Sequence, residues 1–364
     1  RAHQYWRADI ERLLSKEKSA HPPVGEMQRE SEITLMSEKG PYYRGRNAIE
    51  LAETASLEQV AALLWEIDEA DIANTPPPRS SRNFAEIDAA MAAATSVERA
   101  LAHFSFFEHA NPRSFDLTPN GMARTGIDVI RWLTAILLRR SEFSADPVHL
   151  QFGKALGLPD DLTDLVRRLL VLSADHGLEQ STFVVRAMAS TGVTPWRAVA
   201  AGLMVSVGRR TRFGYGDAVR RFLGDILTAS NPEEPIIRRV REGEDLPGFA
   251  SSVYSQGDPR AAAMLDHCDR VFANDDGYRR FQQALHLAFE LRQLKPAFGL
   301  VAGFIGERLG FVDLAPSNAL AAPELPPFLV GRSVGWVAHA IEQYRVGEAE
   351  RQELVYRGRL PDRL

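Results

Sequence analysis

The feature that most constrains this chain is the spacing of its apolar residues, which recur with the helical period along nearly all of its length. Helices fit 56–67, 84–94, 96–109, 121–140, 147–156, 160–173, 194–207, 217–229, 259–273, 275–294, 297–309 and 333–345. Ser56 is a natural cap for the first of these, with Glu58 two places on. Thr194 caps another, with Pro195 at its first position. The exception is 32–46, where Ile33, Leu35 and Met36 precede Gly40-Pro41 and Tyr42-Tyr43, predicting a strand, a turn and a second short strand. Proline-rich stretches at 74–83 and 315–328 read as loops. The expected fold class is mainly α.

Bulk properties narrow the class of protein. Of 364 residues, 45% are apolar and 25% charged, the mix of a soluble globular chain. A net charge of −5 argues against a general polyanion binder. The single cysteine, Cys268, excludes an internal disulfide and is expected to be a small buried hydrophobe. No run approaches the ~20 apolar residues of a membrane span. The nine histidines and one cysteine show no metal-ligand spacing, so no metal is expected. No signal peptide is visible, which predicts a cytoplasmic protein. The chain opens on Arg1 rather than Met, and we expect its native start to lie upstream.

Four segments are chemically informative. Ser173-Ala174-Asp175-His176-Gly177-Leu178-Glu179-Gln180-Ser181-Thr182 puts a histidine beside an acid at a helix end. Gly248-Phe249-Ala250-Ser251-Ser252-Val253-Tyr254 is closed by Gly257-Asp258-Pro259-Arg260. Lys295-Pro296-Ala297-Phe298-Gly299-Leu300-Val301-Ala302-Gly303 follows, and then the run from Gly331-Arg332-Ser333 through Gly335-Trp336-Val337-Ala338-His339 to Glu342-Gln343. In this order they resemble the signature blocks of the citrate synthase family: ADHE-like, GxGHxVY…DPR, PNVDFYSG-like and RxxGWxAHxxEQ. Gly208-Arg209-Arg210-Thr211-Arg212-Phe213-Gly214 stands where the family has a PLHGGA-like block. Tyr42-Tyr43-Arg44-Gly45-Arg46-Asn47-Ala48-Ile49-Glu50-Leu51 resembles its YRGxxIEEL turn. The resemblance spans about residues 32–358.

The resemblance implies a large helical domain from 32–213 and 329–364, a smaller helical domain at 214–328, and a homodimer. It also implies the joining of an acyl-CoA to an oxo acid, with CoA or acyl-CoA as ligand and no covalent cofactor. That chemistry needs a carboxylate base, donors for the oxyanions and arginines for the ligand's carboxylates. The family's first catalytic histidine falls at Arg212, or at Thr211 if the register slips by one, its second at Ser251 and its aspartate at Gly299, so three proton-handling positions lack their usual groups. The anion-holding positions persist as His176, Arg260 and Arg332, with Arg351 matching the arginine donated across the dimer. Arg209, Arg210 and Arg212 beside Gly214 and Gly216 suit a phosphate of CoA.

Each residue also has a plain structural reading. His176 at a helix end satisfies carbonyls, Arg260 stabilises a helix start, Arg332 pairs with Glu342 or another surface acid, and Trp336 and His339 pack. Two functions therefore stand side by side. One is a carboxylate- or CoA-binding sensor for a small di- or tricarboxylate; the other is a diverged acyl-CoA:2-oxo acid acyltransferase with a different base. Residues 1–18 resemble the closing segment of a MerR- or excisionase-like helix-turn-helix, implying a DNA-binding head joined by the linker 19–31.

Overall fold

The structure, a computed structural model, describes residues 30–347 apart from residues 77, 79, 81, 178, 209–215, 250–252 and 312–324. The segment 1–18, nearly all of the linker 19–31, and Arg209, Arg210, Arg212, Ser251 and Arg351 lie outside the described residues. Glu32–Ala349 form one compact unit, and its elements are almost all helices.

Strand structure opens the unit. β1 (Thr34–Ser37) and β2 (Gly40–Tyr43) pair antiparallel with Thr34 opposite Tyr43 and Ser37 opposite Gly40. A third strand, β3 (Arg46–Asn47), was not expected. It arises because Arg44 and Gly45 both take left-handed φ values, 44° and 81°, and such a two-residue turn folds Arg46 back against Tyr43. Asn47 then caps the helix Ala48–Thr54, its side chain accepting from the Ile49 N–H at 2.8 Å.

The helix Pro326–Val346 runs through the centre. It packs against Leu57–Trp65, Pro119–Leu137, Asp160–Ser173, Gln180–Ala189 and Pro195–Ser206. It begins at Pro326, ahead of the predicted 333, because prolines suit the first helical positions: they lack an N–H, and the N–H groups there would find no partner within the helix. Gly335 lets its backbone touch a neighbour. A Cβ there would lie 2.3 Å from the Ala174 carbonyl oxygen. Instead the Gly335 N–H donates to that oxygen at 3.0 Å. Trp336, as expected, is fully buried, with its indole N–H 3.2 Å from the Ser181 hydroxyl.

A second group of helices carries Asp258 and Arg260. Asp217–Thr228, Glu234–Glu242, Pro259–Val271, Asp276–Arg292 and Phe298–Arg308 pack on one another. The Phe281 and Phe304 rings stack at their centre with centroids 4.5 Å apart. Pro259–Val271 also touches Asp160–Ser173 and Ala48–Thr54. Glu69–Asn74 escapes periodicity because it buries no residue, whereas Glu234–Glu242 carries Ile236, Ile237 and Val240 at helical spacing and was not among the expected helices. Two predicted caps change partner. The capping box of Leu57–Trp65 joins Ser56 to Gln59 rather than to Glu58, since the third helical side chain reaches back to the cap N–H. The Thr194 hydroxyl goes to the Glu108 carboxylate and makes no cap bond. Among the described residues no helix is long and apolar enough to cross a membrane.

Candidate functional site

The site is built on the C-terminal end of Asp160–Ser173, where the last carbonyls of a helix have no partner within it. Long-range donors fill that need. The buried Tyr43 hydroxyl lies 3.1 Å from the Val171 and Asp175 carbonyl oxygens and accepts from the Asp175 N–H at 3.2 Å. Burial pushes its phenol up to about 12. Arg332 donates from Nε to the Ser173 carbonyl at 2.9 Å, and Gly335 serves Ala174. The hairpin and the central helix thus hold the 173–177 turn from two sides.

Beyond that turn, side chains form a continuous chain. His176 Nδ1 lies 2.7 Å from Glu179 Oε1, and His176 Nε2 lies 2.9 Å from the Tyr254 hydroxyl. Arg332 Nη1 donates to Glu179 Oε2 at 2.7 Å. Because an ionised carboxylate only accepts, Nδ1 carries the imidazole proton and Nε2 accepts from Tyr254. Burial pushes the His176 imidazole below its ordinary value, with Arg260 adding to the effect and Glu179 opposing it, so it is neutral at pH 7. Burial raises the Glu179 carboxyl, but the Arg332 guanidinium and His176 outweigh it and hold the group below the usual carboxylate range.

Arg260 closes the far side. Its Nε and Nη2 donate to Asp258 at 3.1 and 2.8 Å. Its guanidinium lies 4.6 Å above the Phe298 ring and 5.9 Å from that of Tyr254. Asp258 caps Pro259–Val271 by accepting from the Arg260 N–H at 3.0 Å and also accepts from the Phe298 N–H at 3.3 Å. The Ala297 N–H donates to the Gly248 carbonyl at 2.8 Å, tying the second informative segment to the third. Gly299, buried in Phe298–Arg308, follows directly on the ring beneath Arg260 and offers only backbone.

His176, Arg260 and Arg332 are therefore brought to one place, each less than a tenth exposed. Arg332 does not pair with Glu342; that carboxylate belongs to Arg186. His339 is fully buried 3.3 Å from Asp175, whose carboxyl burial pushes up but His339 and Arg332 hold well below the usual range. Cys268 is buried, and burial pushes its thiol up to about 12. Sequence reasoning did not single out Tyr254 or Glu179 as members of the site. Glu179 stands three residues after His176, a spacing that brings side chains together across a helix start. Tyr254 stands at the tyrosine of the GxGHxVY-like block, but nothing local marks its imidazole partner, which is 78 residues away.

Comparison with known proteins gives a consistent answer. The family model for citrate synthase, C-terminal domain, matches residues 25–353. The 2-methylcitrate synthase of Mycobacterium tuberculosis is 26% identical over 330 residues, 83% of this chain and 80% of that protein. A second protein of that organism is 28% identical over 239 residues, which make up 64% of this chain and 58%, under two thirds, of that relative's length. The citrate synthase of Pyrobaculum aerophilum superposes with a TM-score of 0.77 at 19% identity, covering 93% of this chain and 91% of that one. That of Thermoplasma acidophilum, solved as a ternary complex with carboxymethyl coenzyme A and oxaloacetate, superposes with a TM-score of 0.75 at 16% identity, covering 94% and 96%. At such identities the two structures speak for the fold.

Proposed function

The chain belongs to the citrate synthase family, and from that premise we propose that it binds a small carboxylate or a CoA ester as a regulatory or sensor protein, without the family's ordinary turnover. One observation carries this reading. The anion-holding side chains His176, Arg260 and Arg332 converge, while Gly299, at the position of the family's base, has no side chain beside them. Losing a general base alone lowers a rate by about 10²–10⁴-fold. Arg212 and Ser251, at the two family histidine positions, point the same way in the sequence.

The reading includes a homodimer and CoA phosphates held by Arg209, Arg210 and Arg212. It also includes Arg351 reaching the partner's site, and residues 1–18 as the end of a DNA-binding head. It divides the chain into a larger part, 32–213 with 329–364, and a smaller one, 214–328; the mutual packing of the helices from Asp217–Thr228 to Phe298–Arg308 supports that division. The test is a paired measurement. Thiol release from acetyl-CoA with oxaloacetate should be absent, while a thermal-shift screen of CoA esters and carboxylates should find ligands. Turnover near ~1 s⁻¹, the low end for enzymes, would refute the sensor.

One feature favours the second reading, an acyl-CoA:2-oxo acid acyltransferase with a different base. His176 is neutral, and Glu179 at its Nδ1 orients the ring as an acid orients an imidazole base. In that case His176→Gln should abolish whatever thiol release is found.

A further inference from the structure

Counting arginines predicts a ligand with several carboxylates, but both arginines already hold a carboxylate of the chain itself. Arg260 is taken side-on by Asp258, and Arg332 gives one N–H to Glu179 and another to the Ser173 carbonyl. Two guanidinium cations therefore face two carboxylates, and Asp175 adds a third within reach of Arg332's field. His176 is neutral and adds no positive charge. A dicarboxylate would bring two more negative charges to a cluster in which, among the described residues, Arg260 and Arg332 are already matched by Asp258 and Glu179 and Asp175 has His339 beside it, and a buried unpaired charge is strongly unfavourable.

The two internal carboxylates are not alike. Asp258 is fixed by backbone N–H groups of Arg260 and Phe298 and lies in the Asp-Pro-Arg run shared with the family pattern. It leaves Arg260 Nη1 without a partner among the described residues. Among the described residues the Glu179 carboxylate is held by two side chains, His176 and Arg332, and keeps 24% of its side chain exposed. It stands two places beyond the ADHE-like run, within the same segment, and accepts the Arg332 Nη1–H that a ligand carboxylate would otherwise take.

We propose that Glu179 is a specificity-determining residue: it stands in for one ligand carboxylate at Arg332, so the site takes a monocarboxylate, bound at Arg260, in preference to the corresponding dicarboxylate. This rests on the reading of the site as a carboxylate binder.

Pyruvate and oxaloacetate form the minimal pair, since they differ by one carboxylate. Calorimetry on the full chain should find pyruvate bound more tightly than oxaloacetate by about ten- to a hundredfold, the worth of one charge-assisted hydrogen bond. Glu179→Ala removes the occupant and should invert that order. Glu179→Gln removes the charge but fills the space, and should narrow the difference while keeping the fold, checked by its melting curve. Glu179→Asp, which keeps the charge, should retain the wild-type order. Oxaloacetate bound as tightly as pyruvate by the wild type, or an order unchanged in both Glu179→Ala and Glu179→Gln, overturns the assignment and leaves the carboxylate reading standing. Failure of every form to bind either acid overturns both.

Discussion

Removing Arg332 tests the centre of this account through stability rather than activity. The side chain is buried, donating to the Ser173 carbonyl and to Glu179. In Arg332→Ala both acceptors lose their partner, and Glu179 keeps a charge with its main cation gone. Breaking a fully buried pair costs about 3–5 kcal/mol. With 24% of the Glu179 side chain exposed, water can take up part of the charge, so the expected loss is about 3 kcal/mol at pH 7. The pH dependence has a definite sign. Glu179 has a lowered pKa in the folded wild type, so the stability it contributes is present above the ordinary carboxylate range and is lost as pH falls through the folded value. In the variant, burial is no longer opposed by Arg332, and Glu179 can take a proton more easily. The difference between variant and wild type should therefore shrink from pH 7 to pH 4. Urea unfolding of wild type, Arg332→Ala, Glu179→Ala and the double variant completes a cycle, whose coupling should exceed ~1 kcal/mol. A single-variant loss under ~1 kcal/mol at pH 7, or a coupling indistinguishable from zero, would refute the pairing and the site built on it.

Three further measurements follow from the same contacts. Tyr43→Phe removes a hydroxyl that serves the end of Asp160–Ser173, and denaturant unfolding should show a loss of about 1–3 kcal/mol. Gly335→Ala forces a methyl against the Ala174 carbonyl oxygen, 2.3 Å away; since backbone must shift, a loss of about 1–3 kcal/mol is expected by the same assay. Arg260→Lys keeps a cation against Asp258 but loses the planar fork, and calorimetry should find pyruvate bound about ten- to a hundredfold more weakly.

What could be read from the sequence is what local pattern encodes. The helical period exposed most helices because each buries a stripe along its own length, as Asp160–Ser173 does with Leu165, Val166, Leu169, Leu170 and Leu172. Glu69–Asn74, which buries no residue, left no such trace. The informative segments were visible as runs of residue types, and so were His176, Arg260, Arg332 and the bare Gly299. Their partners were not. Arg332 has Glu342 ten places along the same helix, yet it pairs with Glu179, 153 residues away, while Glu342 goes to Arg186. Tyr254 reaches His176 across 78 residues, and Tyr43 reaches Asp175 across 132. An ion pair or hydrogen bond falls off within a few ångströms, so its partner is set by which helices cross and how closely. In this protein that depends on Gly335 against Ala174 and on the hairpin beneath, and the charge the site presents to a ligand is decided only once those elements meet.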